Sequence, residues 1–379
     1  MGPGTRELTT RVRVKPSRSS AIQAEHGLAR PLRILSVAYP FAPVTADSAG
    51  GAEQILFLLD RALVRAGHNS TVIGCDGSRV FGKLIALPPV PAVIDEKARH
   101  VAHQTARHAI SQVLQSGHID LIHMHGIDFF DYLPPPGRPV LATLHLPPAW
   151  YPKAIFHLTR PATYLHCVSA NQHHACPGSD RLLPPITNGV PVEELASVRH
   201  ARRSFCLVLG RVCPEKGQHL ALRAAHAAGI PLLIAGSVFP YEAHRLYFDE
   251  QVRPLLDRAR RWIGPIGFAR KRRLIAAARC VLIPSLAPET SSLVAMEAAS
   301  CGTPVIAFRA GALCDTVEHE TTGFLVENAF EMSQAIPRTA LIDPERCRAT
   351  ARARFCMNSM IEAYFNRYEL LAQSASGAR

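Results

Sequence analysis

From residue 32 onward, short apolar runs alternate with longer stretches in which apolar residues recur every three or four positions. LRILSVA (32–38), STVIGC (70–75), IDLIHMH (119–125), PVLATLH (139–145) and TYLHCVS (163–169) read as buried strands. A second series follows, with SFCLVLG (204–210), PLLIAG (231–236), ARCVLIP (278–284) and TPVIAF (303–308). Between the strands, Ile55, Leu58, Leu59, Ala62 and Leu63 recur at helical spacing ahead of Gly67, and 218–228 and 269–278 predict further helices. Strands alternating with helices predict parallel sheets covered on both faces. Two such series predict two doubly wound α/β domains, joined near PPITNGVP (184–191). In that architecture ligands bind beyond the carboxyl ends of the strands, so the expected site is the cleft where the two sets of strand ends face each other.

The chain of 379 residues carries 42 Lys and Arg against 30 Asp and Glu, a net charge of +12. With 47% hydrophobic and 19% charged residues, it has globular composition and the length of two domains. No apolar run approaches the ~20 residues of a membrane-spanning helix. Residues 1–30 hold six cations against Glu7 and Glu25 and lack apolar periodicity. They predict a flexible basic extension, with a transit peptide as the alternative. A second basic cluster holds Arg258, Arg260, Arg261, Arg270, Lys271, Arg272 and Arg273. It reads as a solvated helix face, or as contact with an anionic membrane surface or a phosphate-bearing substrate. No aromatic residues interleave with it, which argues against nucleic acid. None of the ten cysteines stands in C-x-x-C spacing and most lie in apolar runs. With no secretory signal, this predicts a reducing cytoplasmic setting, with peripheral association at the inner membrane surface left open.

Three loops between strand and helix carry candidate chemistry. Ala49-Gly50-Gly51-Ala52-Glu53 places glycines at a helix start, where free N–H groups face an anion. Gly210-Arg211-Val212-Cys213-Pro214-Glu215-Lys216-Gly217 supplies a planar guanidinium and a mobile ammonium, a combination suited to a diphosphate. In Pro288-Glu289-Thr290-Ser291-Ser292-Leu293-Val294-Ala295-Met296-Glu297, two carboxylates bracket a helix start that Ser291 or Ser292 can cap. One carboxylate could accept from sugar hydroxyls and the other from a ribose. Other patterns fail. Gly77 to Lys83 nearly matches a phosphate-binding P-loop, but Leu84 stands where Ser or Thr must bind magnesium. There is no G-x-G-x-x-G and no D-x-D. His123 and His125 share a strand face and His173 and His174 are adjacent, yet neither pair has a third metal ligand nearby in the sequence.

PETSSLVAMEAASCGTPVIA resembles the E-x7-E signature of retaining GT-B glycosyltransferases, above all glycosyltransferase family 4. GGAE (50–53), DLIHMH (120–125), ATLH (142–145), TNGV (187–190), LGRVCPEKG (209–217) and Trp262-Ile263-Gly264-Pro265 resemble that family's other segments, in order, across about 32–372. The resemblance implies a GT-B fold: two Rossmann-like domains facing a central cleft. Residues 31–187 would form the acceptor-side domain and 188–352 the nucleotide-sugar-binding domain. Residues 353–379 would hold a terminal helix crossing back to the first domain. The implied reaction moves a sugar from a UDP-, GDP- or ADP-sugar to a hydroxyl of a sugar, lipid-linked or small-molecule acceptor. It retains anomeric configuration and uses no metal and no cofactor. Arg211 and Lys216 would hold the diphosphate and Glu297 the ribose. Glu289 would contact the donor sugar without acting as nucleophile, and His145 would sit near the anomeric carbon. Gly50 and Gly51 would face the phosphate, and Gly264, Ile266, Ser291, Ser292, Leu293 and Val294 would complete the donor site. Thr290-Ser291-Ser292 stands where the family commonly has Gly-Phe-Gly, which puts the sugar pocket in question. An epimerase on the same fold, or a non-catalytic nucleotide-sugar-binding module, are the rival expectations.

Overall fold

In a computed structural model, which describes residues 30–198 and 200–376, thirteen strands form two wholly parallel sheets. The first contains β1 (Arg33–Val37), β2 (Asn69–Cys75), β3 (Lys83–Leu87), β4 (Leu121–Met124), β5 (Val140–Leu144), β6 (Thr163–Cys167) and β7 (Leu182–Leu183), in the order β3-β2-β1-β4-β5-β6-β7. The second contains β8 (Cys206–Leu209), β9 (Leu232–Ala235), β10 (Arg260–Trp262), β11 (Cys280–Ile283), β12 (Val305–Phe308) and β13 (Gly323–Val326), in the order β10-β9-β8-β11-β12-β13. The helices of two turns or more are α1 (Gly51–Arg65), α2 (Glu96–Ser116), α3 (Gln218–Ala227), α4 (Phe268–Ala277), α5 (Leu293–Ser300), α6 (Ala329–Arg338), α7 (Pro344–Arg354) and α8 (Met357–Ser376). None of the described helices is long and apolar enough to cross a membrane.

The central strands are buried end to end, as in β4, β5, β11 and β12, because helices cover both faces of each sheet. Edge strands carry a weaker signal. β3 (KLIAL) and β10 (RRW) are half exposed, and with β7 and β13 they are strands that the apolar pattern does not predict. β10 and α4 also divide the second basic cluster, which is not one helix face. Arg260 pairs with Asp257, Lys271 with Glu297 and Arg272 with Glu194.

In the first sheet the chain runs outward from β1 to β2 and β3, then resumes at β4 on the other side of β1. The second sheet repeats this at β8 and β11. Each reversal opens a crevice at the strand ends, so the loops after β1, β4, β8 and β11 are placed to hold a ligand.

One apolar cluster runs from Ile34 and Leu59 in the first domain through Val190 and Leu293 to Tyr364 and Tyr368 of α8. That last helix lies back on the first domain: the Tyr368 hydroxyl is 2.8 Å from His123 Nδ1, and Phe365 meets the His68 ring edge-on at 5.2 Å. The chain between the domains is bound to the start of α8 by Val190 N–H donating to Phe355 O (2.9 Å) and Met357 N–H to Val190 O (3.0 Å). At the other end, Arg30 makes a two-toothed ion pair with Asp120 (2.7 and 3.0 Å). Of the basic extension expected over 1–30, residues 1–29 lie outside the described residues.

Candidate active site

Each crevice contributes one wall of a cleft. On the first domain, the loop after β1 ends at Gly50, the extended N-cap of α1. On the second, Gly210 (φ +129°) follows β8 and leads through Arg211 to a short turn at Pro214–Lys216. Gly217 (φ +63°) ends that turn, and a Cβ there would stand 2.3 Å from Pro284 O. Only glycine lets the basic loop pack so closely on the loop after β11. That second loop presents Ser285, Glu289, Thr290 and Ser291 before Ser292 caps α5 by accepting from Ala295 N–H.

Two adjoining cavities fill the cleft. One of about 470 Å³ is lined by Gly51, His125, His145, Arg211, Lys216 and Glu289, with Tyr39, Trp150, Tyr151 and Tyr241 at its wall. The other, about 280 Å³, is lined by Asp47, Gly210, Ile266, Lys271, Val294 and Glu297. Gly50, Glu53, Phe239 and Leu293 border both. Hydrogen bonds join the domains across the cleft. Thr290 Oγ1 donates to His145 O (2.8 Å), Phe268 N–H donates to Asp47 (2.6 Å), and the hydroxyls of Tyr39 and Tyr241 are 3.1 Å apart. Arg245 also donates to Ala92 O at 3.4 Å.

The charged groups are arranged in pairs. Lys216 Nζ lies 2.6 Å from Glu289 Oε1, which also accepts from Ser285 Oγ. Lys271 Nζ lies 2.5 Å from the buried Glu297. Arg211 has its guanidinium 5.4 Å from the centre of the Phe239 ring, which holds it against the cleft wall.

Beneath the larger cavity, four imidazoles form a group in which His123, His125 and His166 are buried and His145 is half-buried. His166 Nδ1 donates to Cys167 O (3.1 Å), so its Nε2 accepts from the Thr143 hydroxyl (2.7 Å). That hydroxyl has spent its proton and therefore accepts from His123 Nε2 (2.7 Å). His123 Nδ1 is then an acceptor and takes the proton of Tyr368. Burial pushes His145 and His166 down to about 3 and His123 and His125 well below the ordinary histidine value, so all four are neutral. His125 Nδ1 and His145 Nε2 are hydrogen-bonded at 3.1 Å with their rings stacked.

The model of glycosyltransferase family 4 matches residues 49–176, and the model of glycosyl transferases group 1 matches residues 203–340. This chain carries the two domains of a family 4 glycosyltransferase. The D-inositol 3-phosphate glycosyltransferase of Saccharomonospora viridis is 33% identical over 158 residues, 38% of this chain and 36% of that protein. The match thus spans little more than a third of that relative. Sucrose-phosphate synthase from Thermosynechococcus elongatus shares the fold with a TM-score of 0.75 at 20% identity, covering 90% of this chain and 100% of that one. HepE of Anabaena, solved in complex with UDP-glucose, does so with a TM-score of 0.68 at 19% identity, covering 91% and 100%. The two parallel-sheet domains are a GT-B fold.

In this family 4 chain the cleft gathers Gly50, Gly51, His145, Arg211, Lys216, Ile266, Glu289, Ser291, Leu293, Val294 and Glu297. Two residues expected in the donor site lie outside both cavity linings. The Ser292 hydroxyl is engaged as the cap of α5, and Gly264 (φ +71°) makes a turn whose carbonyl accepts from Gly236 N–H. Neither Lys216 nor Glu289 is a lone group, since each is the other's partner. Residues that only the fold brings in are Ser285, Phe239 and Tyr241. His123 and His125 acquire two further imidazoles, His145 and His166, from neighbouring strands. Thr143 links His123 to His166, and His125 is bonded to His145. The near P-loop at 77–83 runs into strand β3, with Gly82 N–H donating to Asp60, and no helix follows it. Among the described residues, Cys213, Glu215 and His244 bring three ligand-type atoms within 4.8 Å of one another. Burial pushes the Cys213 thiol up to about 11, which keeps it protonated.

Proposed function

We propose that this chain transfers a sugar from a nucleoside-diphosphate sugar to an acceptor hydroxyl, with retention of anomeric configuration and without a metal. The observation that carries the reading is the Lys216–Glu289 pair, a cation for a diphosphate and a carboxylate for a sugar hydroxyl held 2.6 Å apart on the wall of one cavity. In such a reaction the bond from the anomeric carbon to the diphosphate breaks while the acceptor oxygen bonds to the same face. The acceptor's proton passes to the departing phosphate oxygen. Positive groups fixed at the diphosphate stabilise the charge that develops there without reorganising. In this reading Arg211 and Lys216 take that part and Glu289 meets the sugar. Glu297, paired with Lys271 in the smaller cavity, takes the ribose. The complex of HepE with UDP-glucose makes a UDP-sugar the first donor to try. The four aromatic side chains at the wall of the larger cavity suit the face of an acceptor sugar.

The test is nucleoside diphosphate release from UDP-, GDP- and ADP-sugars, with binding of the free nucleotides followed alongside. Release from one donor is expected. In Lys216→Ala, affinity for the matching nucleotide should fall by about tenfold to a hundredfold, the span of one charged hydrogen bond. Glu289→Ala should lower turnover more than it lowers nucleotide affinity. Unchanged affinity in the lysine variant, or equal losses in the glutamate variant, would remove these assignments.

A further inference from the structure

The N-terminus of α1 is where the glycine loop would meet a donor phosphate, yet it already carries a carboxylate. Glu53 lies in the first turn of α1 and folds back over Gly50 so tightly that a Cβ on Gly50 would stand 1.9 Å from Glu53 Oε2. The side chain is 7% exposed and borders both cavities. Among the described residues it forms no ion pair, and no other side chain donates a hydrogen bond to it. A buried carboxylate with neither partner is costly, and such a group sheds its charge by taking a proton. Burial is the largest influence on this carboxyl and pushes it upward, against its own backbone N–H and the more distant Arg211. Titratable groups that share its surroundings are the Cys75 thiol, Asp47, the paired Lys271–Glu297 and Lys216–Glu289, and, around the larger cavity, Tyr39, His125, His145, Glu215, Tyr241 and His244. Among the described residues, Arg211 is the one cation that acts on it. A second anion arriving at Gly50 and Gly51 raises the cost of the charged form further.

We propose that Glu53 meets the donor's diphosphate as a carboxylic acid, donating its proton in a hydrogen bond to a phosphate oxygen at the start of α1. This rests on the donor reading above and adds to it a contact from the first domain. Glu53 then makes nucleotide binding depend on pH: above the value where it ionises, two anions share one helix end and affinity falls. Gln has the same shape and keeps a hydrogen-bond donor, so Glu53→Gln removes the charge alone.

The experiment is calorimetric titration of the whole chain with UDP, GDP and ADP between pH 6 and 8.5, in wild type and Glu53→Gln. The nucleotide's own phosphate titration is common to both proteins and cancels in the comparison. Wild-type affinity for the bound nucleotide is expected to fall with pH by about tenfold more than that of the variant, the equivalent of one pKa unit of coupling. Thermal melting should show the variant at least as stable as wild type. Parallel pH profiles in the two proteins would overturn the proposal while leaving the donor reading in place. Failure of all three nucleotides to bind either protein at any pH overturns both.

Discussion

His166 sets the protonation of the residues around it. Its bond to the Cys167 carbonyl leaves one arrangement for Thr143, His123 and Tyr368, and every ring in it is neutral. Neutral histidines in the folded state have a pH consequence whose sign is fixed. Their folded values lie below the unfolded value of ~6.5, so the stabilisation is fully present above that pH. It is lost as pH falls from about 6.5 toward the folded value, about 3 for His145 and His166. The urea midpoint should therefore drop steadily from pH 7 to pH 4.5, with proton uptake on unfolding. A flat midpoint over that range would mean the four rings are no harder to protonate in the fold than in the unfolded chain. Sequence could show that His123 and His125 share a strand face. It could not show His166, which lies two strands away and reaches His123 only through Thr143 of the intervening β5.

Among the secondary-structure elements, legibility followed burial. Strands buried on both faces were readable because each is a dense apolar run. β3 and β10, at sheet edges, were not, and α2 hid its helical period by burying only Ala106, Ala109 and Ile110. The donor loop was readable as far as its own residues went. What holds it was invisible, since it comes from the loop after β12. Glu289 N–H donates to Ala310 O (3.2 Å) and Ala312 N–H to Glu289 O (2.7 Å), with Gly311 (φ +58°) between them. A Cβ on Gly311 would fall 2.3 Å from Glu289 O. Gly311→Ala should thus push Glu289 off its place and cut donor turnover about tenfold or more. Gly229 is the control, with φ +62° and nothing within 4 Å of its Cβ position. Both substitutions carry the ~1–2 kcal/mol strain of a left-handed residue, measurable as lower melting temperatures. Only Gly311→Ala should lose turnover, and equal turnover in the two would break the link between that loop and Glu289.

The whole molecule depends on a helix that belongs to one domain by sequence and to the other by contact. α8 follows the second domain in the chain, but its Tyr368 completes the histidine group of the first. Because that group fixes His123 as the acceptor, Tyr368→Phe leaves a buried ring nitrogen with no donor. Tyr364, the other phenol of α8 facing His123, has its ring 5.6 Å away. An unsatisfied buried acceptor costs about 1–3 kcal/mol. The loss should be local, because among the described residues no strand of the second sheet hydrogen-bonds to His123 or Tyr368. Hydrogen exchange should therefore speed up along α8 and at β4 to β6 in Tyr368→Phe, while β8 to β13 exchange at wild-type rates. Faster exchange spread evenly over both domains would mean instead that α8 and the two sheets open as one unit, with the hydroxyl only one of many contacts that close it.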